Sequence, residues 1–111
     1  MNEELVYLYG YSTRKQAYLD NLVGILKDQT DSGASIAIVL IHDGVIGTSQ
    51  SGTIPISLDN LLSLSVSVFA ITPDLLARGI EPSTVDPRIK CIEYEDLVDI
   101  LAKTPKIASW M

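Results

Sequence analysis

The segment SIAIVLI at residues 35–41 constrains the fold of this chain more than any other feature. After its serine every residue is apolar and most are β-branched, and the run is far shorter than the roughly 18 residues of a membrane-spanning helix. A strand without polar side chains on either face is typical of the centre of a parallel sheet that helices cover on both sides. The segment therefore predicts an α/β fold with a buried central strand.

Segments with strand character alternate with segments of helical periodicity along the 111 residues. We predict strands at residues 5–10, 35–41, 65–71 and 89–94, a short edge strand in the tail at 106–111, and helices at 12–33, 57–64, 72–79 and 94–104. This alternation favours a mostly parallel sheet of about five strands with helices on both faces, joined by right-handed crossovers. The length and the lack of an internal linker predict a single domain over residues 1–111.

Side-chain patterns predict where the helices begin and end. In the first helix, Thr13 with Gln16 fits a capping box, and Gly33 is placed to end the helix. Ser57 is placed to cap the second helix. The segment TPDLLARG at 72–79 combines a capping threonine, a proline at the first helical position, an early aspartate and a final glycine. The apolar face of the first helix consists of Leu19, Leu22, Val23 and Leu26.

Acidic residues outnumber basic residues, 14 to 8, which gives a net charge of −6. Binding to nucleic-acid phosphates needs clustered Lys and Arg side chains, and the basic residues here are scattered. We therefore expect no direct nucleic-acid binding, although a small basic patch completed by a partner chain remains open. The first residues, MNEELVYLYG, carry acids where a signal peptide carries bases, and no apolar run is long enough for a membrane helix. These features predict a cytoplasmic protein without membrane contact.

The single cysteine, Cys91, and the single histidine, His42, restrict the kinds of site that the chain can form. One cysteine cannot form an intramolecular disulfide, and these two residues make a zinc site improbable, so we predict no metal and no cofactor. Neither a P-loop nor a dinucleotide fingerprint is present. The segment GTSQSGT at 47–53 resembles a phosphate-binding loop by composition only, and a flexible loop is the simpler interpretation.

The residues His42, Asp43 and Gly44 follow the central strand. Ligands of open α/β sheets usually bind beyond the carboxyl ends of the strands, so this turn lies where a site is expected. His42 could act as a general base, because an imidazole titrates near neutral pH. However, no nucleophile is evident nearby, and Asp43 need not face its neighbour in sequence. An interface contact or a simple strand end is the stronger interpretation.

Cys91 and Trp110 are the other candidate site residues. Cys91 could carry a persulfide, but acidic residues follow it closely, and a reactive thiol prefers electropositive surroundings. Burial as a small apolar side chain is the simpler interpretation. Trp110 lies in the tail, where either the protein's own core or a partner subunit must cover its ring. Both alternatives for Trp110 stay open from the sequence alone.

Three segments together resemble the DsrH/TusB family: IHDGV, VFAITPDLLARGI and IEYEDLVDILAKTPKIASW. In that family a strand ends in an acidic or amide residue followed by Asp-Gly. A later strand leads into x-x-Asp-Leu-x-Ala-Arg-Gly, and a last helix precedes a tryptophan in the tail. The resemblance covers about residues 35–111, and its most specific part is DLLARGI together with Trp110.

This resemblance implies a small α/β subunit that assembles with DsrE/TusD-like and DsrF/TusC-like chains. Such complexes relay sulfur as a cysteine persulfide, either for 2-thiouridine formation in tRNA or for sulfur oxidation. Some members carry a cysteine in the first helix, whereas LDNLVGILKD here has none, and His42 replaces the usual acidic or amide residue. The resemblance therefore implies a noncatalytic subunit of a hetero- or homo-oligomer, with the persulfide on a partner chain.

Two other functions stay open. Cys91 could itself accept a persulfide, or the chain could be a stand-alone domain that binds a small ligand through His42, Asp43 and the 47–53 segment. In the leading hypothesis, the strand-end turn from His42 to Gly44 and the Trp110 tail contact the partner subunits.

Overall fold

The computed structural model describes residues 3–111, and within them five parallel strands form one sheet. The strands are β1 (Leu5–Tyr9), β2 (Ile36–Leu40), β3 (Ser67–Ile71), β4 (Ile89–Ile92) and β5 (Lys106–Trp110). Their order in the sheet is β4-β3-β2-β1-β5, and each neighbouring pair is parallel. The predicted strands are therefore confirmed, and the tail forms the edge strand β5.

Helices connect the successive strands. They are α1 (Gln16–Asp31), α2 (Ile56–Leu62), α3 (Thr72–Ala77) and α4 (Tyr94–Lys103), and short 3-10 turns cover His42–Val45 and Pro82–Thr84. Within residues 3–111 none of these helices is both long and apolar enough to cross a membrane. The predicted helices are confirmed, with ends that differ by a few residues.

The central strand β2 has all five of its residues buried. On one face Ile36, Ile38 and Leu40 pack in a cluster with leucines of α1 and α2. On the other face Ala37 and Val39 pack against apolar side chains of α4, none of which is fully buried. Helices thus cover both faces of the sheet, as the uniformly apolar segment predicts, but the α1 side is covered more deeply.

The strand order reverses between β1 and β5. From β1 to β4 the chain crosses the sheet in one direction, and α4 then carries it back to place β5 beside β1. Ligands of open α/β sheets usually bind at such a reversal, outside the carboxyl ends of the strands. Tyr9 and Trp110 end these two strands and are partners in the register, so they mark this point of the sheet.

The caps predicted for α1 and α2 are wrong, because the capping side chains bind more distant groups. The Thr13 hydroxyl donates to the carbonyl of Ile46, and α1 begins only at Gln16. The Gln16 side-chain oxygen accepts a hydrogen bond from the backbone N–H of Ser57 at 3.1 Å. Ser57 lies inside α2, where its hydroxyl donates to Asp20. These contacts tie α1 to α2 and to the turn after β2.

The remaining helix signals give a mixed result. Thr72 does not cap α3; it is the first helical residue after Ile71, and no side chain caps this helix. Pro73 follows in the first turn as predicted. Gly33 and Gly79 lie just beyond α1 and α3 with φ of +89° and +71°. Both end signals are therefore confirmed, since this left-handed conformation favours glycine.

Tyr9 carries a polar group into the core. The residue is fully buried. Among residues 3–111, its hydroxyl is the one buried side-chain polar atom that makes no hydrogen bond. Burial raises the pKa of Tyr9 to about 12, with smaller contributions from Tyr11 and Tyr18. An unpaired buried hydroxyl destabilises the fold relative to an apolar group of the same shape.

We expect Tyr9→Phe to raise the free energy of unfolding by about 1 kcal/mol at neutral pH, because it removes this unpaired hydroxyl. The unfolded tyrosine ionises near its ordinary pKa of 10.0, whereas the folded one ionises near 12, so the unfolded state binds fewer protons between these values. The free energy of unfolding should therefore fall as the pH rises from 10 to 12, and less steeply in the variant. Urea unfolding at neutral pH and between pH 10 and 12 measures both effects, with Tyr18→Phe as the exposed control. An unchanged free energy of unfolding at neutral pH would contradict the first expectation. An equal fall of that free energy with pH in wild type and Tyr9→Phe would contradict the second.

Candidate functional site

A buried carboxylate organises the carboxyl edge of the sheet. Asp74, in the first turn of α3, is only 7% exposed. Its Oδ2 accepts a hydrogen bond from the backbone N–H of His42 at 2.7 Å, and its Oδ1 accepts one from the Tyr94 hydroxyl at 2.8 Å. One side chain therefore joins the segments that follow β2, β3 and β4. The same contact raises the pKa of Tyr94, because the neutral phenol donates to Asp74.

Arg78 binds the turn after β2 from the end of α3. Its Nε and Nη2 atoms lie 3.1 and 3.0 Å from Oδ1 of Asp43, and its Nη1 donates to the backbone carbonyl of Asp74 at 3.2 Å. The Asp43 carboxylate is thus paired with an arginine and not with its neighbour His42. The arrangement links the two segments IHDGV and DLLARG, which lie far apart in sequence.

His42 projects from this edge with an unusual backbone conformation. Among residues 3–111, His42 is the one residue other than glycine with a positive φ, at +51°. Its side chain is exposed. Its backbone N–H binds Asp74, but its imidazole makes no hydrogen bond to any described residue. The sequence-level idea of a His42–Asp43 acid–base pair is therefore not matched by the geometry, and a catalytic role for His42 stays a prediction without a positioned partner.

Gly44 brings the turn close to the neighbouring strand. A Cβ atom at this position would lie 2.1 Å from the carbonyl oxygen of Tyr9. That oxygen also accepts a hydrogen bond from the backbone N–H of Ile41 at 3.0 Å. A side chain at position 44 would push the turn away from β1, so this position requires glycine for steric reasons.

Aromatic side chains collect where β1 and β5 end. The rings of Tyr9 and Tyr11 meet edge to face with centroids 5.8 Å apart, and those of Tyr11 and Tyr18 stack at 4.7 Å. Trp110 is half-buried and packs against the cluster that contains Tyr9. Met111 lies against Gly10 and is 58% exposed. The aromatic rim is defined here as Tyr11, Tyr18, Trp110 and Met111.

Of the two alternatives for Trp110, the structure tests only the first. The residue packs against the protein's own core and keeps intermediate exposure on the edge strand β5. No strand within residues 3–111 pairs with the outer edge of β5. The ring therefore has the position and exposure of an interface residue, and its role in an interface stays a prediction.

Cys91 lies on β4, at the opposite edge of the sheet from β5. It packs beside the main core cluster and keeps intermediate exposure. Burial raises the pKa of the Cys91 thiol, so a smaller fraction of it is thiolate at neutral pH than for an ordinary cysteine. These surroundings match an inert thiol better than a persulfide carrier.

Sequence reasoning missed the role of Asp74 and Tyr94. It read Asp74 only as an acid at the positive end of a helix, whereas the carboxylate binds groups from two other segments. The available signal was positional. Asp74 and the His42 turn both follow neighbouring parallel strands, so their polar groups meet at one edge of the sheet.

Comparison with known proteins gives consistent results. The family model described as DsrH-like protein matches residues 12–107. Protein TusB of Pectobacterium carotovorum is 31% identical over 74 residues, which cover 67% of this chain and 74% of that protein. Protein TusB of Buchnera aphidicola is 38% identical over 73 residues, which cover 66% and 73%. The crystal structure of the ychN protein from E. coli matches with a TM-score of 0.75 over 99% of this chain and 100% of that chain; at 13% identity this likeness concerns the fold alone.

We expect Asp74→Ala to lower the free energy of unfolding by about 2–4 kcal/mol, because it removes the acceptor of two hydrogen bonds and leaves the His42 N–H unpaired. Tyr94→Phe removes only one of these bonds, at a half-exposed side chain, and should cost about 1 kcal/mol. Chemical denaturation monitored by circular dichroism measures both values. Asp99→Ala, which changes an exposed acid on α4, is the control; a loss in Asp74→Ala no larger than in this control would contradict the assignment.

Proposed function

Because the chain belongs to the DsrH-like protein family, we propose that it is a noncatalytic subunit of a sulfur-relay complex of the DsrEFH or TusBCD type. In this proposal the chain assembles with DsrE/TusD-like and DsrF/TusC-like subunits in the cytoplasm, and the persulfide resides on a partner. In a TusBCD-like complex the sulfur would serve 2-thiouridine formation in tRNA. The observation that carries the proposal is the half-exposed aromatic rim beside an unpaired sheet edge, on a chain whose own thiol is poorly suited to sulfur transfer.

The aromatic rim supports a role in assembly. Tyr18 and Met111 are 47% and 58% exposed, and Trp110 is half-buried at the end of β5, where it pairs with Tyr9 in the sheet register. Trp, Tyr and Met are enriched in the cores of protein interfaces, and Trp and Tyr are frequent binding hot spots. An exposed sheet edge also presents unpaired N–H and C=O groups to which another chain can bind. A partner subunit seated on β5 would cover both features at once.

The Asp74 contacts also support a role in assembly, because they make the carboxyl edge of the sheet rigid. They hold the His42 turn, α3 and the start of α4 in fixed relative positions. Binding to a preorganised surface loses less conformational entropy than binding to a mobile one. The exposed side chains of His42 and Asp43 would then offer polar contacts to a partner on a rigid frame.

The alternative in which Cys91 accepts a persulfide is less well supported. Its thiol pKa is raised by burial, and acidic residues Glu93, Glu95 and Asp96 follow within five positions. Both factors disfavour the thiolate that sulfur transfer requires. Cys91 also lies on the edge strand β4, at the opposite side of the sheet from the proposed contact on β5.

We expect Trp110→Ala to lower the amount of DsrE-like and DsrF-like chains that co-purify with this protein by about tenfold or more, since a central interface tryptophan contributes about 2 kcal/mol or more. Tyr18→Ala should weaken assembly as well, and its exposed position keeps this test valid if Trp110→Ala loosens β5. Val98→Ala is the matched control, because Val98 is 63% exposed on α4, on the other face of the sheet. Unchanged recovery with both rim variants, or a loss seen only with Val98→Ala, would sink the proposed surface.

We expect Cys91→Ser to leave sulfur transfer by the assembled complex unchanged, because the proposal assigns the persulfide to a partner. Mass spectrometry of the complex after exposure to a sulfur donor should find the mass gain of one sulfur atom on a partner cysteine and none on Cys91. A persulfide on Cys91, together with loss of transfer in Cys91→Ser, would instead establish this chain as the carrier.

A further inference from the structure

A cleft of about 650 Å³ opens at the carboxyl edge of the sheet. Its wall is formed by Arg14 from the segment after β1, by residues between 46 and 52 from the segment after β2, and by Arg78 and Ile80 at the end of α3. This volume is within the range of small-molecule sites. The cleft lies outside the carboxyl ends of the strands, the edge at which open α/β sheets bind ligands, although not at the reversal between β1 and β5.

The charge of this cleft is opposite to the charge of the chain. The chain carries a net charge of −6, yet two of its three arginines, Arg14 and Arg78, line the cleft. None of the described residues that line it is acidic. The third arginine, Arg88, is engaged by Asp59 and Asp86 elsewhere. Asp43 balances the charge of Arg78, so the uncompensated positive charge of the cleft is that of Arg14. This excess charge, together with the spare N–H donors of Arg78, favours a small anionic ligand.

The two arginines differ in how they are held. Arg78 is fixed by Asp43 and by the Asp74 carbonyl, and it still has N–H donors to spare, because a guanidinium carries five. The Arg14 side chain makes no hydrogen bond or ion pair with any described residue. The cleft therefore combines one preorganised cation with one whose charge nothing in residues 3–111 neutralises.

The backbone of the cleft is also held in place. Thr13, next to Arg14, donates from its backbone N–H to the Ile46 carbonyl at 3.2 Å. Gly47 has φ of +96°, and a Cβ there would lie 2.2 Å from Oγ1 of Thr13, so only glycine allows this approach. On the other side, the Gln50 backbone N–H donates to the Thr84 carbonyl at 2.7 Å. Residues 47–50 are thus anchored on both sides and are not the free loop that their composition suggested.

We propose that this cleft binds the phosphate group of a small phosphorylated molecule, held by Arg14 and Arg78, with the remainder of the molecule over Ile46 and Ile80. Ser51 and Gly52 also line the cleft, and in this proposal a hydroxyl and a backbone N–H from them add neutral donors. The charge favours one phosphate over a nucleic-acid backbone, because Asp43 balances Arg78 and no stripe of Lys and Arg continues from the cleft. This inference is independent of the proposed sulfur-relay role.

The test is a titration of the full chain, isotopically labelled, with inorganic phosphate, with adenosine monophosphate and with a short single-stranded RNA, followed by amide NMR. We expect saturable shifts at residues 14, 47, 51 and 52 with phosphate and with the nucleotide. Arg14→Gln should weaken binding about tenfold, the usual effect of one lost charge-assisted contact, and Arg14→Lys should restore part of it. Lys15→Gln is the matched control, since it removes the same charge from an exposed neighbour outside the cleft.

Three results would overturn the inference. The first is the absence of saturable shifts at these amides when phosphate is added. The second is an equal loss of binding in Arg14→Gln and Lys15→Gln, which would indicate unspecific electrostatic attraction. The third is RNA binding that is much tighter than nucleotide binding and that depends on Lys15 as much as on Arg14, which would assign the surface to a nucleic-acid backbone. Selective loss in Arg14→Gln, with the nucleotide bound at least as well as RNA, would support it.

Discussion

The hydrogen bonds to the buried carboxylate of Asp74 fix the carboxyl edge of this sheet. A charged group that is only 7% exposed must be well paired, and Asp74 finds its partners in the His42 backbone and in the Tyr94 hydroxyl. The bond to His42 also compensates for the left-handed backbone of this residue, a conformation that costs about 1–3 kcal/mol outside glycine. Removal of the carboxylate would break both of these contacts and leave the Arg78–Asp43 pair as the remaining side-chain link described between α3 and the His42 turn.

This contact gives a physical meaning to the two short segments that resemble the DsrH/TusB family. In DLLARG the aspartate binds the backbone of the turn after β2, and the arginine binds the carboxylate of that turn. In IHDGV the aspartate is the arginine's partner, and the glycine lets the turn approach the Tyr9 carbonyl. The two segments are therefore halves of one structural unit. Their joint presence is explained by these contacts within the fold.

The positions of the strands and helices and the parallel sheet followed from the sequence, because apolar runs and helical periodicity determine which faces are buried. The order of the strands in the sheet did not, since no local pattern says that β5 pairs beside β1. The uniformly apolar strand at 36–40 and the positive-φ glycines at 33 and 79 are examples, since each depends on local chemistry alone. The caps at Thr13 and Ser57 failed because their hydroxyls bind groups that are 33 and 37 positions away in sequence. The sequence located the His42 turn and Trp110, because both follow from their positions at strand ends. It did not show the Asp74 contacts or the presence of two arginines in one cleft, because these residues are far apart in sequence.

Hydrogen–deuterium exchange on the chain alone and together with the proposed DsrE-like and DsrF-like partners is the sharpest test of whether the chain offers a rigid binding surface at the reversal between β1 and β5. We expect new protection of backbone amides in β5 and in residues 10–18, with little change in the Asp74-bound turn, which is already ordered. Protection confined to α4 or β4, or a turn that becomes ordered only in the complex, would contradict this expectation.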